Sequence, residues 1–317
     1  MRAAALLLAA LLAASPAGAV GGRTSGGFLQ RTLGAKAAAM GNAFVAVSES
    51  PDSIQYNPAA LSTISRPVLS TTYLNAFGST NYGFLGYVHP LPLGVGAVSA
   101  VYFNAGTIDL NLSDGTTGRV TAEEDLATTA SYAFPLPLGF SVGATYRFVR
   151  LKLAESVSAT THQGDLGAHW ETPFPGISLG ASYQYIGADI TFEEAGDPPP
   201  RTIRYGFAIH LDDVNIRKLD PSVDLKNFEF TFTGDVVQVL HEDPSIRFGT
   251  ELGIIPDYMN GIALRFGWIF GRFAESATAG IGFKGKHYDI DYAFGSSSSL
   301  GNLQHLTFTH YFNNHGS

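Results

Sequence analysis

Apolar and polar residues alternate along the last third of the chain with few interruptions. Between positions 262 and 270, a large apolar side chain stands at every second residue, with Ala263, Arg265 and Gly267 among the residues between them. The apolar set is Ile262, Leu264, Phe266, Trp268 and Phe270. A period of two predicts β-strands, because successive side chains of a strand point to opposite faces.

The polar partners in these strands include full charges. An unpaired charge is costly in a dry protein core, whereas a barrel in a membrane is apolar outside and polar inside. We therefore predict an all-β fold, a transmembrane antiparallel β-barrel with a short, partly helical N-terminal hatch. Alternating segments over 67–312 give about 14 strands, an even number as such barrels have. Residues 313–317 would form a C-terminal extension.

The connections predict which end of the barrel faces which compartment. Pro-Leu-Pro-Leu-Gly occurs at 90–94 and again at 135–139, each time after an even-numbered strand. Proline lacks a ladder donor, so we expect these turns outside the sheet. Longer polar links such as 104–124 follow odd-numbered strands. Short periplasmic turns and longer external loops are typical of these barrels. The long segment 212–226 is an exception, because it falls on the short-turn side, and we interpret it as a local periplasmic insertion.

Charged residues at the inward positions are expected to form a lumenal network. On the lipid face, Arg or Lys would cost roughly 2–4 kcal/mol near the bilayer midplane, so these side chains should face the lumen. Cross-strand pairing is expected to bring Arg204 near Glu229. Arg247 and Arg265 are expected near Glu251. The network comprises Arg147, Arg204, Glu229, Arg247, Glu251 and Arg265. These pairs either brace a narrow interior or line a polar track that conducts or binds a solute.

The segment 20–66, hereafter the hatch, differs from the strands that follow it. Its first half is rich in alanine and its charge is low. Asn57 is a good N-cap, and Pro58 suits the first position of a short helix. We expect the hatch to fold into the lumen as a plug; a periplasmic cap or a lead-in to the first strand is the alternative.

The ends and the composition indicate an exported envelope protein. Residues 1–19 have the features of a signal peptide: Arg2, a short apolar run, and a small-residue cleavage site at 17–19. There is no cysteine, so no disulfide or lipid anchor is expected. The net charge of −8 argues against nucleic acid as a partner. The predicted location is the outer membrane of a Gram-negative cell, with outer-membrane lipid as the surroundings.

Enzymatic chemistry is not indicated. The histidines are scattered, and none accompanies a Gly-x-Ser-x-Gly or a His-Glu-x-x-His motif. We therefore predict that the protein is not an enzyme and uses neither a cofactor nor a metal.

The first half of the hatch and its Asn-Pro-Ala motif carry a family resemblance. The run from Leu33 to Val47, followed by Tyr-Asn-Pro-Ala-Ala-Leu at 56–61, resembles the PorV/PorQ family within the FadL-like outer-membrane barrels. The residues that carry it are Gly34, Met40, Gly41, Phe44, Asn57, Pro58 and Ala59. The resemblance implies a 14-stranded barrel with an N-terminal hatch. In the wider group, hydrophobic molecules such as fatty acids and aromatic hydrocarbons cross the outer membrane.

Three functions remain open at this point. The first is passive transport of hydrophobic small molecules, gated by the hatch, with a lateral exit through the wall near a strand kink or bulge. The second, implied by PorV-type members, is a carrier that interacts with type IX secretion-system proteins. The third is a plugged structural barrel. Inward glycines could make room for the hatch or for a ligand: Gly143, Gly206, Gly249, Gly267, Gly280 and Gly282.

Overall fold

The computed structural model describes most of the chain. The described residues are 24–75, 80–111, 117–192, 194, 196–223, 226–256, 260–271, 275–297 and 301–313. The expected signal peptide, residues 1–19, and residues 314–317 of the expected C-terminal extension lie outside them.

Fourteen antiparallel strands form a closed barrel, which confirms the predicted fold class. Their bounds are β1 Val68–Asn75, β2 Asn81–Leu91, β3 Gly94–Asn104, β4 Glu123–Pro135, β5 Phe140–Leu153, β6 Val157–Glu171, β7 Ile177–Gly187, β8 Thr202–Leu211, β9 Phe228–Val239, β10 Ser245–Ile254, β11 Gly261–Phe270, β12 Glu275–Lys284, β13 Tyr288–Ser297 and β14 Gly301–Tyr311. Each strand pairs with its neighbours in the sequence, and β1 pairs with β14 from Val68↔Tyr311 to Asn75↔Gln304. Closure leaves the sheet with no free edge.

The two ends of the barrel differ in their connections. At the turn end, where β2 meets β3 and β4 meets β5, the links are short. At the opposite loop end, β3 and β4 are joined through a hairpin of Thr107–Asn111 and Thr117–Thr121. The expectation that both Pro-Leu-Pro-Leu-Gly turns lie wholly outside the sheet is wrong: Pro90 and Pro135 belong to the ends of β2 and β4. A strand end tolerates proline because few ladder bonds are lost there.

The insertion at the turn end contains a short helix, α3, Asp213–Leu219. The Asp212 carboxylate accepts a hydrogen bond from Asn215 N–H at 2.7 Å and caps the helix. The described part of the insertion is therefore a local structure of the β8–β9 connection.

The two faces of the wall follow the alternation in the sequence. On β11, Leu264, Phe266 and Trp268 are exposed on the outside, whereas Arg265 between them is buried in the lumen. At the turn end, Trp170 stacks on Phe140 with ring centroids 4.8 Å apart. Trp and Tyr are enriched where a membrane meets water, so this outer face matches a barrel that spans a bilayer.

The described part of the hatch contains four short helical pieces. Two are α-helices, α1 Ala35–Ala39 and α2 Ser53–Tyr56. Two are 3-10 helices, Gly27–Gln30 and Pro58–Thr63. Among the described residues, no helix is long and apolar enough to cross a membrane.

Candidate functional site

The hatch crosses the lumen and touches opposite sides of the wall. Helix α1 packs against β11 to β14, and the Pro58–Thr63 helix packs against β3 to β6. Near the loop end, the Tyr82 hydroxyl donates to Phe28 O at 3.0 Å. Near the turn end, the Ser62 hydroxyl donates to Ser141 Oγ at 2.7 Å. The hatch therefore plugs the barrel along its length.

Side chains of the wall satisfy the irregular backbone of the hatch. Backbone N–H groups of Phe44 and Val45 donate to Asp235 Oδ2 at 2.7 and 2.9 Å. Further wall residues whose side chains bond the hatch main chain are Ser178, Ser182, Gln184, Thr233, Thr278 and Thr307. A buried backbone group without a partner costs free energy comparable to a lost hydrogen bond. The polar inner face is thus matched to this plug.

Glycines on the inner face let the hatch backbone lie directly against the wall. A Cβ on Gly267 would fall 2.0 Å from Gly41 N, and a Cβ on Gly143 would fall 2.4 Å from Ala59 N. The glycines in such contact with the hatch, hereafter the glycine cradle, are Gly143, Gly167, Gly180, Gly249, Gly267 and Gly280. Two other inward glycines, Gly206 and Gly282, instead make room for wall carboxylates. The hatch, and not a ligand, occupies the space that most of these glycines leave.

The first group of motif residues packs the hatch against itself and the wall. Gly34 has a φ of +87°, and a Cβ there would lie 2.2 Å from a carboxylate oxygen of Asp52. Only glycine combines that conformation with that contact. Met40 and Phe44 are fully buried, and Gly41 faces the β10 and β11 backbone. These positions are accounted for by packing.

The Asn-Pro-Ala motif ties the hatch to the wall. The Asn57 side-chain amide donates to Val45 O at 2.8 Å and to Ala168 O at 2.9 Å. Its Oδ1 accepts from Ala59 N–H at 3.1 Å, and Pro58 begins the 3-10 helix. The predicted roles of Asn57 as the N-cap and of Pro58 as the first helical residue are thus confirmed, and the helix is a 3-10 helix. No signal in the sequence revealed the bond from Asn57 to the wall.

A β-bulge in β7 directs two consecutive side chains toward the hatch. Pairing shifts between Gly164 and Leu166 of β6, so that Gln184 and Tyr185 both oppose Asp165. Tyr185 has a φ of +58°, and its N–H donates to Asp165 Oδ1 at 2.7 Å. Strand alternation places only one of two successive residues inside, which is why sequence reasoning missed this pair.

Both bulge side chains hold the hatch. The Tyr185 hydroxyl donates to Leu29 O at 2.7 Å. The Gln184 side-chain amide donates to Gln55 O at 2.7 Å. Arg147 lies over the Tyr185 ring at 4.9 Å from its centroid and binds Asp165 at 2.6 Å. Arg147 thus faces the lumen, where it braces the bulge.

Three of the predicted network residues meet at the turn end. Arg265 lies opposite Glu251 in register, and its Nε donates to that carboxylate. Its Nη1 donates to Asp291 Oδ1 at 2.6 Å. Lys284 Nζ binds Glu251 at 3.1 Å and Glu229 at 2.8 Å. Lys36 of the hatch pairs with Glu251 and completes this group. We call the group the turn-end ion cluster: Glu229, Glu251, Arg265, Lys284, Asp291 and Lys36.

Two of the expected pairings are wrong. Arg204 lies opposite Val237, eight residues along β9 from Glu229, which is roughly 27 Å away along the strand. Its Nε instead donates to Gln184 Oε1 at 2.8 Å. Arg247 shares β10 with Glu251, roughly 14 Å along the same strand, and lies opposite Asp235. The inward charges therefore form separate groups.

Asp52 adds a titratable group beside the turn-end ion cluster. Its carboxyl is buried in the hatch, and Ala37 N–H lies 3.4 Å from its Oδ2. Burial, reinforced by the Asp291 carboxylate, raises the pKa of Asp52 to about 7; Ala37 N–H, Lys36 and Arg265 oppose the shift. The protonated carboxyl is the form that the fold favours.

We expect the stability of the barrel to fall as the pH rises through about 7, the pKa of Asp52 in the fold. Because the pKa of Asp52 is raised, its contribution to the free energy of unfolding is fully present below the ordinary pKa of 3.8. That contribution is lost once the pH exceeds the raised pKa. Asp52→Asn should flatten the fall in Tm between pH 3.8 and about 7, the ordinary and the raised pKa of this carboxyl, at roughly 2–4 °C per kcal/mol. Glu49→Gln, an exposed hatch position, should leave the fall intact. An unchanged pH profile in the Asp52 variant would contradict the assignment.

Two small cavities lie between the described parts of the hatch and the wall. One of about 30 Å³ lies beside the turn-end ion cluster, and another of about 10 Å³ lies beside Arg204. These volumes hold one or two water molecules. Within the described ranges, no group of three His, Asp or Glu residues is arranged to hold a metal ion.

Solved structures share this architecture at low sequence identity. CymD, a monoaromatic hydrocarbon channel, superposes with a TM-score of 0.59 at 12% identity, over 89% of this chain and 98% of that one. The toluene transporter TodX of Pseudomonas putida gives 0.58 at 10%, over 89% and 98%. A FadL homologue of Pseudomonas aeruginosa gives 0.55 at 11%, over 89% and 99%.

The chain has the fold of the FadL-like channels. No family model matches the sequence, and no curated protein matches it. These structures are a hydrocarbon channel, a toluene transporter and a FadL homologue, and the resemblance to PorV and PorQ stays a prediction. CymD and TodX are named as a channel and a transporter.

Proposed function

We propose that this barrel lets hydrophobic small molecules, such as fatty acids or aromatic hydrocarbons, cross the outer membrane, with the hatch as the gate. The fold is the one used by a monoaromatic hydrocarbon channel and a toluene transporter. The observation that carries the proposal is an apolar region of the lumen. It lies next to the 3-10 helix Gly27–Gln30, hereafter the first turn of the hatch.

This apolar region is a cluster formed by β1 to β7 together with the hatch. Phe28 stacks on Phe103 with centroids 6.2 Å apart, and Tyr82 packs on the same ring at 5.9 Å. Leu29, Leu33 and Val101 belong to the same buried cluster. The wall residues of the turn-end ion cluster lie on β9 to β13, another part of the wall, and Lys36 lies on α1 of the hatch. Displacing the first turn would therefore open an apolar surface for an apolar solute.

The bulge in β7 supplies a route through the wall beside this turn. Tyr185 and Tyr82 hold the first turn by hydrogen bonds to Leu29 O and Phe28 O. When those bonds break, Tyr185 loses its lumenal partner at the point where the β6–β7 ladder is already interrupted. A bulge locally disrupts pairing and often lies next to a functional site. We infer that the solute leaves laterally there.

Deletion of the gene is expected to slow uptake of toluene and of a long-chain fatty acid, and the native gene should restore it. The double variant Tyr82→Phe/Tyr185→Phe should raise uptake several-fold, because two bonds of about 1 kcal/mol each hold the first turn. Tyr146→Phe is the matched control, since that hydroxyl bonds His162 on the outer face. Normal uptake in the deletion strain would refute transport. Native uptake in the double variant would refute gating by the first turn of the hatch, but not transport.

A carrier role in type IX secretion is the alternative, and the closed lumen favours it. A protein-interaction barrel needs no solute path, and the hatch fills this one with direct backbone contacts. In that case, secretion-system proteins should co-purify with the barrel from solubilised outer membranes, and hydrocarbon uptake should not depend on the gene.

A further inference from the structure

The outer face of β5 carries two cations, Arg150 and Lys152, close to the loop end. Arg150 is exposed and lies between Leu126 and Thr160 in register, which are also exposed on the outside of the wall. The other cations in the described barrel strands are directed into the lumen: Arg147, Arg204, Arg247, Arg265 and Lys284. Among the described barrel strands, basic side chains therefore reach the outer face at this one place.

The position of Arg150 along β5 places it at the level of lipid headgroups. The strand begins at Phe140, whose ring stacks on Trp170 at the turn end. Arg150 follows about ten residues later, which at roughly 3.3 Å per residue and a tilt of about 40° is about 25 Å along the membrane normal. The apolar band of an outer-membrane barrel is also about 25 Å tall. Arg150 therefore lies at the upper edge of this band, next to the outer leaflet.

The outer face around Arg150 is polar, in contrast to the opposite side of the barrel. Thr160 is exposed beside it, and the Tyr146 hydroxyl lies 2.6 Å from His162 Nδ1 on the same face. On β11, exposed Trp268 and Phe270 extend the apolar face to the loop end of the strand. The membrane surrounds the whole barrel, so a polar patch on one side indicates a local partner.

The carboxylates near the two cations leave Arg150 without an ion pair. Glu124 lies opposite Lys152 in register and compensates that ammonium group. Glu155, in the following turn, accepts a hydrogen bond from Thr121 N–H at 2.9 Å. Arg150 has no ion-pair partner among the described residues. Because charges at the edge of the hydrocarbon are ordinarily paired, Arg150 fits an anion that the membrane itself supplies.

We propose that Arg150, together with Lys152 and the Thr160 hydroxyl, binds a phosphate group of lipid A, the phosphorylated glycolipid of the outer leaflet. A guanidinium group matches two phosphate oxygens at once. The acyl chains of the lipid then extend toward the membrane centre over exposed side chains such as Tyr146 and Leu166. The bound lipid fixes the height of the barrel in the membrane. This site does not depend on what the barrel transports.

The test adds phosphorylated lipid A, or the same lipid after removal of its phosphates, to the full chain in detergent and measures bound lipid by native mass spectrometry. The phosphorylated lipid should bind more tightly. Arg150→Gln should weaken its apparent affinity about tenfold, as expected for the loss of a charge-assisted hydrogen bond. Arg217→Gln is the matched control, because it removes the same charge at the turn end, where Arg217 pairs with Asp213 at 2.8 Å. Equal affinity of the native chain for both lipids would overturn the proposal.

Two further measurements separate the guanidinium geometry from its charge, and the lipid from free phosphate. Arg150→Lys keeps the charge but loses the planar fork, so its affinity should lie between those of the native chain and Arg150→Gln. Inorganic phosphate in excess should not displace the lipid, because it lacks the acyl chains that rest on the outer face. Displacement by phosphate, or native affinity in Arg150→Gln, would reject a lipid site at this position.

Discussion

Gly267→Ala is expected to expel the middle of the hatch from its place. The added Cβ would lie 2.0 Å from Gly41 N and 2.5 Å from Met40 C, both main-chain atoms. Neither can turn aside as a flexible side chain would, so the hatch or strand β11 must shift. Overpacking costs about 1–3 kcal/mol, occasionally more, and here it also weakens the bond from Gly41 N–H to Thr278. A lower Tm and a higher single-channel conductance should result.

Gly83→Ala is the matched control, because a Cβ there meets nothing within 4 Å. It adds the same methyl group to a wall glycine without touching the hatch, so its Tm and conductance should equal those of the native chain. If Gly267→Ala also behaves like the native chain, the close backbone approach at the glycine cradle is not what holds the hatch.

The strands could be predicted because the membrane imposes a simple rule on them. Every second residue faces lipid and must be apolar, so the pattern over 262–270 reports directly on the outer face of β11. The same rule placed Arg147, Arg204, Arg247 and Arg265 in the lumen, where all are buried.

The pairing of those charges depended on strand register, which the alternation does not report. Glu251 and Arg265 were correctly paired because only residues 255–260 join β10 to β11. Between β8 and β9 lies the insertion with its own helix, so the distance from Arg204 to Glu229 in the sequence says little about their positions. A short connection constrains register, whereas a long one leaves it to the rest of the sheet.

The hatch shows a second limit of the sequence. Its low charge and its Asn-Pro-Ala motif suggested a plug, but its contacts come from residues far away in the chain. Asp235 binds Phe44 and Val45 across 190 positions or more. The bulge at Tyr185 breaks the strand period itself, so a reading based on that period could not find it.

Arg265→Gln is expected to have the largest effect of any charge substitution in the lumen. Arg265 is 1% exposed and binds both Glu251 and Asp291. Without Arg265, the buried carboxylates of Glu251 and Asp291 keep only part of the positive charge that compensates them. Breaking a buried pair by removing one partner costs about 3–5 kcal/mol. Lys36 of the hatch lies 3.5 Å from Glu251 and remains there as a partial counter-charge.

The double variant Glu251→Gln/Arg265→Gln separates pairing from packing. Removing the carboxylate as well relieves the uncompensated charge, so the double variant should be more stable than Arg265→Gln alone, with a coupling energy within about 0.5–3 kcal/mol. Arg119→Gln, which breaks an exposed pair 3.1 Å long, should cost no more than about 1 kcal/mol. Chemical unfolding in detergent measures five chains: the native chain, Glu251→Gln, Arg265→Gln, the double variant and Arg119→Gln. Additive losses at 251 and 265 would mean that the turn-end ion cluster braces the barrel through packing and not through charge.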